Sequence, residues 1–261
     1  MCRLFGLYAN HAVDVMFSFY KAKKSLKKLS EGNPDGWGVA WFDGVKWNLH
    51  KEPGPLHASR NAEESVKHVL GVIVVSHVRR ATCGALKPEN THPWLYKGYV
   101  FAHNGVLDRG AALNLLSPGY RDLEGDTGSE VLFHLVVQEV EREGGFVEGV
   151  RRVIEKIDRG NVYYRSLNFI ASDGRKLYAL RCARERLSYY TLYYLERPSE
   201  GLRLEGLSKE TAQLIRAKLA KGEKAALVAS EPLTEEPWEK IPNKHLLVVG
   251  EGLETELIGV G

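Results

Sequence analysis

The chain has 261 residues, 44% of them hydrophobic and 26% charged, with 36 Lys and Arg set against 33 Asp and Glu. At ~150 residues per domain that length gives one or two domains, and a chain of this size buries roughly three quarters of its unfolded surface without a disulfide or metal staple. A formal charge of +3 is too balanced to indicate a nucleic-acid or membrane partner, and three cysteines do not make a secreted disulfide framework.

The longest apolar run, residues 69–75, is far shorter than the ~20 residues of a bilayer span, and no basic-then-apolar leader opens the sequence. The resulting expectation is a cytoplasmic protein. No metal-ligand spacing stands out among nine His and three Cys, so neither a metal nor another cofactor is expected.

In chain order, residues 2–9 (CRLFGLYA) read as a buried strand. Residues 14–30 shift to helical spacing with Val15, Phe19, Leu26 and Leu29 as apolar positions. Their KAKKSLKK stretch reads as a solvated basic face, because no aromatic interleaving makes it an RNA-binding patch. Residues 37–52 form a hairpin around Asp43-Gly44. Strands follow at 71–78 and at 98–107, the latter ending at Asn104-Gly105.

The clearest helix is 129–143, with Val131, Leu132, Leu135, Val136 and Val140 on one side and Gly144-Gly145 as its stop. A second helix covers 146–157. Residues 167–172 and 176–181 make a hairpin around Asp173-Gly174, and 187–196 reads as a tyrosine-rich strand. A helix over 208–222 starts at Ser208 with Glu210 in its first turn. Strands at 225–230 and 245–250 close the chain. No repeat or linker divides it, so a single α+β domain over 2–261 is expected.

Cys2 carries the first chemical signal. Removal of Met1, favoured by a small second side chain, leaves a thiol and a free α-amine on one residue. With a pKa of ~7.7–8.0, that amine is partly neutral at physiological pH and can take the proton of its own thiol. From position alone, a small apolar residue starting a strand is the better reading.

Three downstream segments add parts of an acyl-transfer site. Arg79, in HVRRATCG, offers a planar fork for bidentate binding of a carboxylate. Asn104 and the N–H of Gly105, in FAHNGVL, can form an oxyanion hole, with glycine permitting close approach of substrate. Asp126, in GDTGSEVLF, can accept a substrate ammonium. Taken singly, Arg-Arg fits surface charge, Asn-Gly fits a hairpin turn, and His92 and His103 fit packed histidines. Their joint order is the signal.

MCRLFGL, NPDGWGVAWF, HVRRATCG, ENTHPW, FAHNG, TGSE and a late ASEPL together resemble the class II glutamine amidotransferases. Within them, the wording is most similar to stand-alone members that act as γ-glutamyl hydrolases. The resemblance spans residues 2 to about 249, nearly the whole chain. It implies an N-terminal-nucleophile hydrolase fold, a four-layer αββα sandwich of two antiparallel sheets between helical layers. It also implies release of ammonia or an amine from glutamine or a γ-glutamyl amide.

By the same resemblance Cys2 is the nucleophile, Arg79 and Thr82 hold the substrate α-carboxylate, and Asn104 with Gly105 makes the oxyanion hole. The Gly105 carbonyl is implied as a further acceptor for the α-ammonium. The sequence departs from the family twice: Gly128 stands where an acid is expected, leaving Asp126 two residues early, and Cys83 replaces a histidine. The implied partners are a small-molecule substrate and, in an alternative reading, a separate synthase that this chain serves as a non-catalytic or partner-dependent subunit.

Overall fold

The computed structural model describes residues 2–199 and 204–261. Their strands are β1 (Arg3–Asp14), β2 (Trp37–Phe42), β3 (Trp47–Glu52), β4 (Leu70–Val78), β5 (Trp94–Tyr96), β6 (Tyr99–Leu107) and β7 (Tyr164–Ser172). They continue as β8 (Leu177–Arg181), β9 (Tyr193–Arg197), β10 (Ala225–Ala229), β11 (Glu239–Lys240), β12 (His245–Val249) and β13 (Thr255–Gly259). The α-helices are α1 (Leu26–Glu31), α2 (Ala62–Lys67), α3 (Arg109–Leu113), α4 (Gly128–Glu143), α5 (Phe146–Arg159) and α6 (Lys209–Ala220).

The strands form two antiparallel sheets. One has the order β11-β9-β10-β1-β4-β2-β3, the other β13-β12-β8-β7-β6-β5. Side chains alternate across β1, so its two faces feed different cores. Leu4 and Tyr8 pack between the sheets with Ile73, Val75, Ala102 and Ile170. Phe5 and Leu7 face outward against Phe19, Leu26 of α1 and Val66 of α2. On the far side, Phe101 of β6 and Phe169 of β7 pack against Phe133 of α4 and Val150 of α5. The architecture is the four-layer α+β sandwich implied by the sequence.

Helix α4 is buried nearly all round, not on one side alone, because the second sheet, α3 and α5 surround it; even Glu139 is fully buried, bonded to Lys156 at 2.6 Å. It stops where expected, at a left-handed Gly144. The hairpins at 37–52 and 167–181 also form in register.

Several local expectations are corrected. The 14–30 segment is two pieces, a five-residue π-turn at Phe17–Lys21 and then α1. Ala22 is extended between them, and the Ser25 side chain accepts from the N–H of Lys28 to start α1 afresh. The lysines of the basic run are exposed as expected, and two of them make surface ion pairs, Lys23 with Glu235 and Lys24 with Glu231.

Asn104-Gly105 is not a turn. β6 continues to Leu107, with Asn104 opposite Asn168 and Gly105 opposite Leu167 on β7. The strand expected at 187–196 begins only at Tyr193, because the buried guanidinium of Arg181 donates to the carbonyls of Leu187 and Tyr190 and holds that stretch as a turn. Helices α2 and α3 and strands β5, β11 and β13 had no counterpart in the sequence reading.

Candidate active site

Cys2 stands just ahead of β1, whose first residue Arg3 pairs with Val78 at the end of β4. That register brings the segment after β4 beside the thiol. The N–H of Arg80 donates to Sγ at 3.3 Å, and the thiol lies 3.5 Å from the Arg80 carbonyl. The strand entry is pinned by Arg3, bonded to Glu231 at 2.6 Å, and by the Leu4 N–H, which donates to Ser230.

The cleft around Cys2 draws on both sheets. Arg79, Arg80 and Thr82 come from the segment after β4, His103, Gly105 and Val106 from β6, and Gly128 and Ser129 from the start of α4. Of the residues singled out in the sequence, Cys2, Arg79, Thr82 and Gly105 therefore share one cleft. Asn104 is buried beside Gly105, and its side-chain oxygen has no hydrogen-bond partner.

Asp126 is placed elsewhere. Its side chain is 56% exposed, bonds Lys87 at 3.1 Å and Asn90 at 3.2 Å, and does not line the cleft.

Arg79 is buried, and its guanidinium donates to the carbonyls of Cys83 at 2.8 Å and Gly84 at 3.4 Å, folding the 81–87 loop over itself. Asp35 tethers the same loop by accepting from the Ala81 N–H at 2.8 Å.

Gly105 is a glycine for a reason other than substrate approach. A Cβ there would overlap the carbonyl oxygen of Ser166 on β7. The neighbouring strand alone excludes any larger residue.

Three residues that the sequence reading passed over complete the frame. Asn90, fully buried, accepts from the Asp126 N–H at 2.8 Å and donates to the Ala85 carbonyl at 3.0 Å, so it ties the 81–87 loop to the segment before α4. It lies within the ENTHPW motif, which was its only signal. Glu130 is buried and accepts from the N–H groups of Glu124 and Gly125 at 2.7 and 2.9 Å, while the Thr127 side chain accepts from the Glu130 N–H. The Thr127 cap fixes where α4 begins, and the Glu130 carboxylate reaches back to hold the segment just before it. Ser129 lies 2.8 Å from Nδ1 of His103.

His92, which lines the cleft, contacts His77 through ring nitrogens at 3.1 Å and packs against Trp94. All three histidines are buried. Burial holds His77 and His92 well below the usual imidazole range and His103 down to about 4, so each is neutral near pH 7. Burial pushes the Cys2 thiol up, opposed by the Arg80 N–H and by the Arg79 cation. A raised thiol pKa means that attack on an acyl group needs a base to remove the proton.

A thiol with a hydrogen-bonded sulfur, a buried arginine and Gly105 of the facing sheet meet in this cleft. The family model for glutamine amidotransferases class-II matches residues 1–260. The chain belongs to that family.

Among its relatives, this class II amidotransferase is 30% identical to an uncharacterised protein of Methanocaldococcus jannaschii over 272 residues, covering 97% of this chain and 70% of that one. The fold is shared with a glutamine aminotransferase class-II domain protein of Silicibacter pomeroyi (TM-score 0.66, 21% identity, all of both chains). It is shared also with the glutamine phosphoribosylpyrophosphate amidotransferase of B. subtilis (TM-score 0.63, 18% identity), where all of this chain covers 49% of that one. Among the described residues no helix is long and apolar enough to cross a membrane, and no group of His, Cys, Asp or Glu is arranged to hold a metal ion.

Proposed function

We propose that this chain hydrolyses the side-chain amide of glutamine or of a γ-glutamyl compound through a thioester on Cys2. The observation that carries the reading is the meeting of Cys2, Arg79 and Gly105 in one cleft. Met1 lies outside the described residues, and its removal is part of the proposal.

Arg79, with Thr82 beside it, receives the substrate carboxylate. For this the guanidinium exchanges its bonds to the Cys83 and Gly84 carbonyls for a bidentate pair with the anion, in which both partners are charged. Binding at that end sets the amide carbonyl over Sγ, which converts an encounter into a near-unimolecular step.

The α-amine of Cys2 takes the thiol proton as sulfur bonds to the carbonyl carbon. The Gly105 N–H and the Asn104 amide face the developing oxyanion; one such donor contributes about 3 kcal/mol in well-studied hydrolases. The C–N bond then breaks, the leaving nitrogen takes the proton, and ammonia or an amine departs. Water, deprotonated by the same amine, adds to the thioester. The C–S bond breaks, releasing the carboxylic acid and restoring the thiol.

Intact-mass measurement before and after exposure to 6-diazo-5-oxonorleucine tests this directly, alongside an ammonia-release assay. The expected result is a chain lacking Met1 that gains one adduct on Cys2. A chain that retains Met1, takes no adduct and releases no ammonia from any amide would reject it.

A further inference from the structure

Two buried amides stand opposite each other in the second sheet, Asn104 of β6 and Asn168 of β7. Ala102 and Ile170, two residues along each strand, pack between the sheets, so by alternation both asparagine side chains lie on that inner face. Leu4 of β1 packs there too, and Cys2 precedes it by two residues. Directly opposite side chains on one face have Cβ atoms about 4.5–5.5 Å apart, near enough to touch.

Their free hydrogen-bonding atoms are complementary. Asn168 Oδ1 accepts from the backbone N–H of Cys182 at 2.9 Å. A backbone N–H bonds only the oxygen of an amide, so this contact fixes which way the Asn168 carboxamide is turned. Cys182 directly follows β8, which flanks β7 on one side, while β6 flanks it on the other. With its oxygen spent towards β8, the Asn168 NH2 is left for the side where Asn104 stands. Among the described residues, Asn168 Nδ2 and Asn104 Oδ1 are both buried without a hydrogen-bond partner.

A donor lacking an acceptor therefore lies across one ladder position from an acceptor lacking a donor. Burying either unpaired is costly, and pairing them removes both costs. They stop short of a bond in this structure, and the terminal torsion of an asparagine is broad enough for a small turn to close it.

We propose that Asn168 is the positioning residue of the oxyanion hole: its NH2 holds Asn104 Oδ1 and so turns the Asn104 NH2 towards the carbonyl that Cys2 attacks. The proposal rests on the Cys2 reading and deepens it. An amide can face the reaction with either end. Flipped, Asn104 would set its NH2 against that of Asn168 and offer an oxygen lone pair to the developing negative charge. The Asn168 donor disfavours that arrangement. It also polarises the Asn104 amide, which strengthens its N–H groups as donors. Asn168 itself touches no reacting atom.

A double-mutant cycle tests this on glutamine or γ-glutamyl-p-nitroanilide, whichever the parent hydrolyses faster, with Cys2→Ser as the blank and thermal melting as the check on folding. Asn168→Asp keeps the shape and an acceptor for Cys182 but sets an oxygen, not a donor, towards Asn104. Its kcat is expected to fall about 30-fold or more while KM changes less than about threefold, because the oxyanion forms only past the ground state. In an Asn104→Ala background the same substitution is expected to change kcat less than about threefold, since the group it positions is gone.

An equal loss of kcat in both backgrounds, an effect on KM alone, or full activity of folded Asn168→Asp overturns the proposal and leaves the Cys2 reading standing. Asn168→Ser, neutral and too short to reach across the ladder, takes the place of Asn168→Asp if that variant does not fold, with the same expectations. A parent chain that hydrolyses neither compound and takes no adduct on Cys2 overturns both.

Discussion

The sulfur of Cys2 sits against the peptide of Arg80, 3.3 Å from its N–H nitrogen and 3.5 Å from its carbonyl oxygen. One residue thus offers the thiol an acceptor for its proton and the thiolate a donor. The contact is made by backbone, so it follows from the β1–β4 register and not from the identity of the side chain at position 80.

Replacing the nucleophile should therefore disable chemistry and spare the fold. Cys2→Ala is expected to lower kcat by at least ~10³-fold, as loss of a covalent nucleophile does in other hydrolases. The half-buried thiol anchors only the Arg80 peptide, so the thermal midpoint should move by no more than a few degrees. A tag that keeps a residue ahead of Cys2 should lower turnover comparably, because it removes the amine base. Full activity in either protein would remove the thiol–amine pair from the mechanism.

Arg79→Lys separates charge from geometry. A lysine keeps the cation but has no planar fork, and it cannot reach both the Cys83 and Gly84 carbonyls as the guanidinium does. KM for the preferred amide is expected to rise about 10–100-fold with a smaller change in kcat. An unchanged KM in steady-state assays would take Arg79 out of the substrate site.

Gly105→Ala tests the packing of the second sheet. The added methyl meets the Ser166 carbonyl on β7, which is fixed by its own ladder bonds. Overpacking of this kind costs about 1–3 kcal/mol. Urea denaturation should show a lower midpoint with little change in slope, together with lost activity as the Gly105 N–H shifts. A midpoint equal to that of the parent would show that β6 and β7 can part locally.

Acid should destabilise the protein through its buried histidines. His103 titrates at about 4 in the folded chain, against ~6.5 for a free histidine, so between those values the unfolded chain binds the extra proton. The stabilisation is complete above pH ~6.5 and is lost as pH falls towards 4. On the order of 3 kcal/mol attaches to His103 alone. His77 and His92, lowered in the same direction, add to it. Unfolding free energies measured at pH 7, 5.5 and 4 should fall steeply, and His103→Gln should flatten part of that slope.

Much of this protein was legible in one dimension, where the physics is local. Short, largely apolar stretches gave β1, β4, β6 and β12, and turn-forming Asp-Gly pairs gave two hairpins. Cys2, Arg79 and Gly105 lie in short motifs whose order pointed to one acyl-transfer site. The basic run over 21–28 is solvated as read, and two of its lysines make surface ion pairs.

The class of fold, the family and the candidate site residues are legible in the chain alone, because each rests on near-neighbour patterns and residue chemistry. Tertiary structure decided which of them meet. Asn104-Gly105 is a plausible turn until β7 is laid beside it, and Asn90 has no visible role until two loops converge on its amide. Asp126 and Gly128 differ by two positions along the chain, yet one pairs with Lys87 at the surface and the other lines the cleft with Cys2. That separation is fixed where Leu107 closes against the first residue of α4, a contact between segments 21 residues apart that no local pattern encodes.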